Sequence, residues 1–111
     1  MTHHPDVTDR AVRALIDAIN DNDREAFAEA LTPDATMSDD GTDRDLFQWA
    51  EKEIFASNGQ MDVVSASDEG RSLIADYRND TWGSMRTSWE FTVSNGKVSR
   101  FDTGQAPASR S

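Results

Sequence analysis

A chain of 111 residues with 36% apolar residues is one domain with one core, and three tryptophans and five phenylalanines must supply much of what that core buries. The 21 acidic against 11 basic residues give a formal net charge of −10, which repels phosphate backbones and anionic lipid. No segment gathers a basic patch, so the chain argues against nucleic acid and membrane as partners. The absence of cysteine excludes disulfides, thiolate zinc sites and a cysteine nucleophile. No apolar run approaches the roughly 20 residues of a membrane-spanning helix. The start MTHHPDVTDR lacks the apolar stretch of an export signal, and a soluble cytoplasmic protein is expected.

Val12, Leu15, Ile16 and Ile19 recur at helical spacing and predict a first helix over about 8–20, capped by Thr8. After the link NDND, Asn22 and Glu25 have the spacing of a capping box and open a short helix through Phe27 and Leu31. Thr32-Pro33 stops it, because a residue before proline is pushed out of the α region. Ala35–Met37 reads as a short extended piece and SDDG as a turn. Thr42 then caps a third helix over about 43–57, whose apolar face holds Leu46, Phe47, Ala50, Ile54 and Phe55, with Trp49 widening it. Gly59 is expected to end this helix in the left-handed conformation.

From residue 61 the periodicity changes from 3.6 to 2. MDVVSAS, RSLIADYRN, MRTSWEFTV and KVSRFDT are four strands separated by the turn segments DEG, DTWG and SNG. In the third, Met85, Thr87, Trp89, Phe91 and Val93 share one face, with Arg86, Ser88, Glu90 and Thr92 on the other. Helices followed by a meander make an α+β domain over 7–104, helices packed on one face of a curved sheet. Residues 1–6 form a flexible N-terminus and 105–111 a disordered tail in this reading. A sheet curled around a helix leaves an apolar mouth suited to a small ligand.

The helix-one stripe, the segment NDNDREAFAEALTPDATMSDDG (20–41) and the closing hairpin WEFTVSNGKVSRFD (89–102) together resemble the nuclear transport factor 2-like (NTF2-like) superfamily. The likeness runs over about 7–105 and points to the bacterial branch of ketosteroid isomerases and SnoaL-like polyketide cyclases. It implies a cone-shaped, curved antiparallel sheet packed on three N-terminal helices, also called cystatin-like, and a homodimer paired across the outer sheet face of Arg86, Ser88 and Glu90. It further places Asp39 where ketosteroid isomerases carry their general base. The positions of that family's oxyanion-hole tyrosine and aspartic acid fall on Leu15 and near Trp89, so isomerisation by that route lacks its electrostatic partner.

Asp39 is thus the candidate catalytic residue, against an alternative role as a turn aspartate in SDDG. Asp40 faces the other way if the segment is extended, and Asp34, Asp43 and Asp45 read as turn and helix-start residues. Leu15, Tyr77, Trp82, Trp89 and Phe91 are the candidate ligand-binding residues, with core packing as the competing role for Trp89 and Phe91. Tyr77 shares a strand face with Leu73 and Ala75 and turns inward. Trp82 covers a cavity mouth or packs at a strand end. His3 and His4 lie in the N-terminal tail, no metal-ligand spacing occurs, and the six glycines are dispersed, so no metal, nucleotide cofactor or serine–histidine nucleophile is expected. Three functions compete: a module binding a small, mostly apolar or aromatic ligand; a cofactor-independent isomerase, cyclase or dehydratase using Asp39; and a homodimeric interaction domain whose cavity is filled by Trp89, Phe91 and Met85.

Overall fold

The computed structural model describes residues 7–81 and 83–105; the expectations for 1–6, Trp82 and 106–111 lie outside that range, while Gln105, expected to open the disordered tail, is the last residue of a strand and its amide is bonded to Asp40. In chain order the elements are α1 (Arg10–Asn20), α2 (Arg24–Glu29), β1 (Leu31–Asp39), β2 (Thr42–Arg44), α3 (Leu46–Ala50) running into a π-helical turn (Glu51–Phe55), β3 (Gln60–Ser67), β4 (Ser72–Asn79), β5 (Gly83–Ser94) and β6 (Lys97–Gln105). The six strands form one sheet in the order β2-β1-β6-β5-β4-β3. The four strands read from the sequence form the antiparallel meander β3 to β6. β1 joins its far edge in parallel with β6, so the sheet is mixed rather than wholly antiparallel. Among the described residues, no helix is long and apolar enough to cross a membrane.

The helix starts differ from expectation by one to three residues, for one reason: aspartates take the capping positions. Asp9, not Thr8, caps α1, accepting from the amides of Ala11 (2.9 Å) and Val12 (3.3 Å) while its other oxygen meets Arg71 at 2.9 Å. Asp23 caps α2 through the Ala26 amide, and Asp45 caps α3 through that of Gln48. Residues 42–44, expected within the third helix, are instead strand β2. Asp40 and Gly41 both adopt left-handed φ, +53° and +83°, the two-residue hairpin turn that Asp-Gly favours. Asp39 consequently pairs with Thr42, and Arg100 holds Asp43 at 3.0 Å. β1 is also longer than the predicted extended piece, with Pro33 lying in the irregular stretch between Leu31 and Thr36 where proline needs no ladder partner.

α1 buries Val12, Leu15, Ile16 and Ile19 against the inner sheet face. There Phe91 and Phe101 lie with ring centroids 6.3 Å apart, and Trp89 stacks on Phe91 at 6.0 Å. Phe27 meets Phe55 edge-on at 5.2 Å, joining α2 to the π-turn. This half of the sheet is solid core. The other half, under α3 and the π-turn, is not.

Candidate functional site

Strand register sets the inner wall row by row. Asp39 pairs with Thr103, Thr103 with Trp89, and Trp89 with Leu73, so these four residues form one row across β1, β6, β5 and β4. The next rows place Thr87 beside Ala75 and Met85 beside Tyr77. Opposite them, α3 and the π-turn contribute Trp49, Lys52 and Glu53. Between the two surfaces lies a cavity of about 750 Å³, with Trp49, Tyr77, Met85 and Trp89 in its wall and charged residues, Arg44 and Lys52 among them, towards solvent.

Asp39 is half-buried, and one carboxylate oxygen accepts the indole N–H of Trp49 at 2.9 Å. That bond ties α3 to the edge of the sheet and fixes the carboxylate's direction. Asp40 also lines the cavity, contrary to the expectation that the pair point apart, because the turn residue is not extended. Its amide donates to the Thr103 carbonyl at 2.9 Å and its carboxylate accepts the Gln105 amide at 3.0 Å. Gly104 permits this approach, since a Cβ there would lie 2.6 Å from the Asp40 oxygen.

Trp89 is 1% exposed. Its indole N–H donates to the Thr87 hydroxyl at 2.8 Å, which donates onward to the Ala75 carbonyl at 3.1 Å. Tyr77 donates its hydroxyl to the Glu53 carbonyl at 2.5 Å, and the Asn79 side-chain amide donates to the same oxygen at 2.8 Å. A π-turn offsets its carbonyls from the regular α ladder, and these two side chains anchor one of them to the sheet. Burial pushes the Tyr77 phenol well above its ordinary range, the Asn79 hydrogen bond opposing that rise.

The structure therefore brings Asp39, Tyr77 and Trp89 together in one cavity wall. Leu15 (0% exposed) and Phe91 (5%) lie instead in the solid core, away from that wall. Leu15 faces inward from α1, which covers the other half of the sheet, and Phe91 sits one inner row beyond Trp89. Trp82 is outside the described residues. Sequence reasoning missed Trp49, taken only as a margin of the α3 apolar face, and Thr103. Thr103 was legible in principle, since it follows Phe101 by two in a strand whose inner face Phe101 marks. Among the described residues, no group of three or more His, Asp or Glu side chains is placed to hold a metal ion.

No protein-family model matches the sequence, and no curated protein matches it. Solved structures do match. A candidate polyketide cyclase from Sinorhizobium meliloti superposes with TM-score 0.71 at 20% identity, covering 84% of this chain and 92% of that one. An NTF2-like protein of unknown function from Cytophaga hutchinsonii gives 0.69 at 16% identity over 96% of both chains. The chain has the NTF2-like fold. A candidate ketosteroid isomerase from Kribbella flavida, TM-score 0.69 at 19% identity over 94% of this chain and 81% of its own, shares it. Likeness at these identities speaks for architecture. NTF2-like domains host unrelated chemistries, so the activity has to be argued from the cavity residues themselves.

Proposed function

We propose that this NTF2-like domain binds a small, mostly apolar organic molecule in the cavity between the sheet and α3. The observation that carries the reading is the open space of about 750 Å³ walled by Trp49, Tyr77, Trp89 and Met85, with the half-buried carboxylate of Asp39 at its side. Pockets for small ligands combine such apolar walls with a few placed polar groups. The volume also counts against an interaction domain whose cavity is filled from within. Trp89 forms part of the wall, Phe91 sits in the core, and the space between wall and helix is open.

Catalysis by Asp39 as a general base stands second. An isomerase, cyclase or dehydratase needs a donor facing the base to stabilise the developing oxyanion. Tyr77 is the only tyrosine in the chain, and its hydroxyl donates to the Glu53 carbonyl. The indoles of Trp49 and Trp89 are likewise committed to Asp39 and Thr87, and the Thr103 hydroxyl stands beside Asp39 in the same row rather than facing it. Binding needs no such donor.

The test is NMR of the tryptophan indole N–H signals during titration with 2-methylnaphthalene. Saturable movement of the Trp49 signal is expected in the wild type. Met85→Trp, which fills the cavity from a half-buried wall position, should abolish it while the chain remains folded. An unmoved Trp49 signal, or movement that survives Met85→Trp, would count against the cavity as the binding site.

A further inference from the structure

We propose that Asp39 and Thr103 form a two-point site for a hydroxyl group on the bound molecule. The inference rests on the binding reading above and names the chemistry that the cavity selects.

Thr103 is 8% exposed and lines the cavity, and its hydroxyl has no hydrogen-bond partner among the described residues. Among the described residues, the other buried polar side chains are all engaged. Ser38 donates to Asp102, Ser57 to the Lys52 carbonyl, Asn79 to the Glu53 carbonyl and Thr87 to the Ala75 carbonyl. Buried hydroxyls without partners are rare because leaving one unmade costs stability. An unengaged one facing a cavity is a contact reserved for whatever fills the space.

Asp39 and Thr103 are register partners in the parallel β1–β6 ladder, so their side chains stand next to each other on the inner face. Trp89 is the register partner on the other side of Thr103. Trp49 holds the Oδ2 oxygen of Asp39, and no described residue donates to Oδ1. The pair therefore offers one charged acceptor and, beside it, one hydroxyl able to donate and accept.

Four groups can be set against that pair. A ligand hydroxyl donates to Asp39 and accepts from Thr103, leaving nothing unmatched. A carbonyl accepts from Thr103 but turns lone pairs towards the Asp39 carboxylate. A carboxylate adds like-charge repulsion. An ammonium donates to both residues and leaves the Thr103 proton without an acceptor. The match is an alcohol on an apolar frame, with the frame against Trp49 and Trp89.

The experiment uses four probes on one frame, 2-naphthylmethanol, 2-methylnaphthalene, 2-naphthylmethylamine and 2-naphthoate, titrated into the full chain and followed at the Trp49 indole signal. The alcohol should bind about tenfold more tightly than the hydrocarbon, as a hydrogen bond to a charged group warrants. Thr103→Val, which removes the hydroxyl and keeps the shape, should erase most of that preference, read as the ratio of alcohol to hydrocarbon affinity within the variant. Thr103→Ser should restore it, which separates loss of the hydroxyl from loss of packing. Equal binding of alcohol and hydrocarbon, a preference that survives Thr103→Val, or tighter binding of the amine or the naphthoate would overturn the inference and leave the binding reading standing. If none of the four probes moves the Trp49 signal, both fall.

Discussion

Gly59 offers the sharpest test of how the cavity's far wall is held. A Cβ at this position would fall on the Tyr77 hydroxyl oxygen, 2.9 Å from the ring carbon Cζ and 3.1 Å from the Ile54 Cα. Gly59→Ala must therefore push the phenol off the Glu53 carbonyl. Overpacking of this kind costs about 1–3 kcal/mol, and the displaced hydrogen bond about 0.5–1.5 kcal/mol more, for a total of about 1.5–4.5 kcal/mol. Tyr77→Phe alone should cost only about 0.5–1.5 kcal/mol, because Asn79 still donates to the same carbonyl. In the Tyr77→Phe background the most crowded atom is gone, so Gly59→Ala should cost about 1–2 kcal/mol less than it does in the wild type. Urea unfolding of the four proteins measures the coupling directly. Additive costs, within about 0.5 kcal/mol, would show that Gly59 is not there to admit the Tyr77 hydroxyl.

Other outcomes follow from the same structure. Because Tyr77 is the only tyrosine, tyrosinate absorbance reports it alone. Its folded phenol is raised above the unfolded value of about 10, so stability should hold below that pH and fall as pH climbs past it, a slope that Tyr77→Phe removes; ionisation of the folded protein near pH 10 would contradict this. Leu15→Ala should destabilise by about 2–5 kcal/mol while leaving probe binding unchanged, since Leu15 is fully buried away from the cavity wall. A loss of affinity without a loss of stability would return Leu15 to the site. Pairing of two copies across the outer sheet face, where Arg86 meets Asp76 at 2.8 Å, should give a dimer in light scattering; a monomer at micromolar concentration would end that proposal.

The strands were legible because their signals are local. Period-2 alternation in 85–93 places Thr87, Trp89 and Phe91 inward, as found, and Asn95 and Gly96, at φ +53° and +77°, turn β5 into β6 as their dipeptide demands. What failed was decided by contacts distant in sequence. Gly59 was read as a left-handed helix stop, yet Asn58 takes that conformation, at φ +57°, and Gly59 is small because Tyr77 arrives from β4. Residues 42–44 read as a helix start because Thr42 is a good cap, but Arg100 on β6 holds Asp43 in a strand. Trp49 escaped notice for the same reason, whereas Thr103 carried a local signal in its spacing from Phe101. Each acquires its meaning from Asp39, to which the chain brings them from 10 and 64 positions away.

The five aspartates between 34 and 45 separate once their partners are known. Asp34 accepts the Thr32 hydroxyl at 3.0 Å, Asp43 pairs with Arg100, and Asp45 caps α3. Asp40 closes the hairpin and fastens it to β6 on both sides of Gly104. Asp40 and Asp45 hold backbone amides and Asp34 and Asp43 hold neighbouring side chains, which is the structural work aspartate does well at turns and helix starts. Asp39 is the exception, because its partner is an indole at the cavity and no described residue donates to its remaining oxygen. The four structural aspartates still matter to it. Asp40 holds the Thr103 carbonyl and the Gln105 amide, so β1 and β6 remain tied together at the end of the row that carries Asp39 and Thr103. A polar pair fixed in that way is positioned before any ligand arrives, and binding then does not have to order the groups that recognise it.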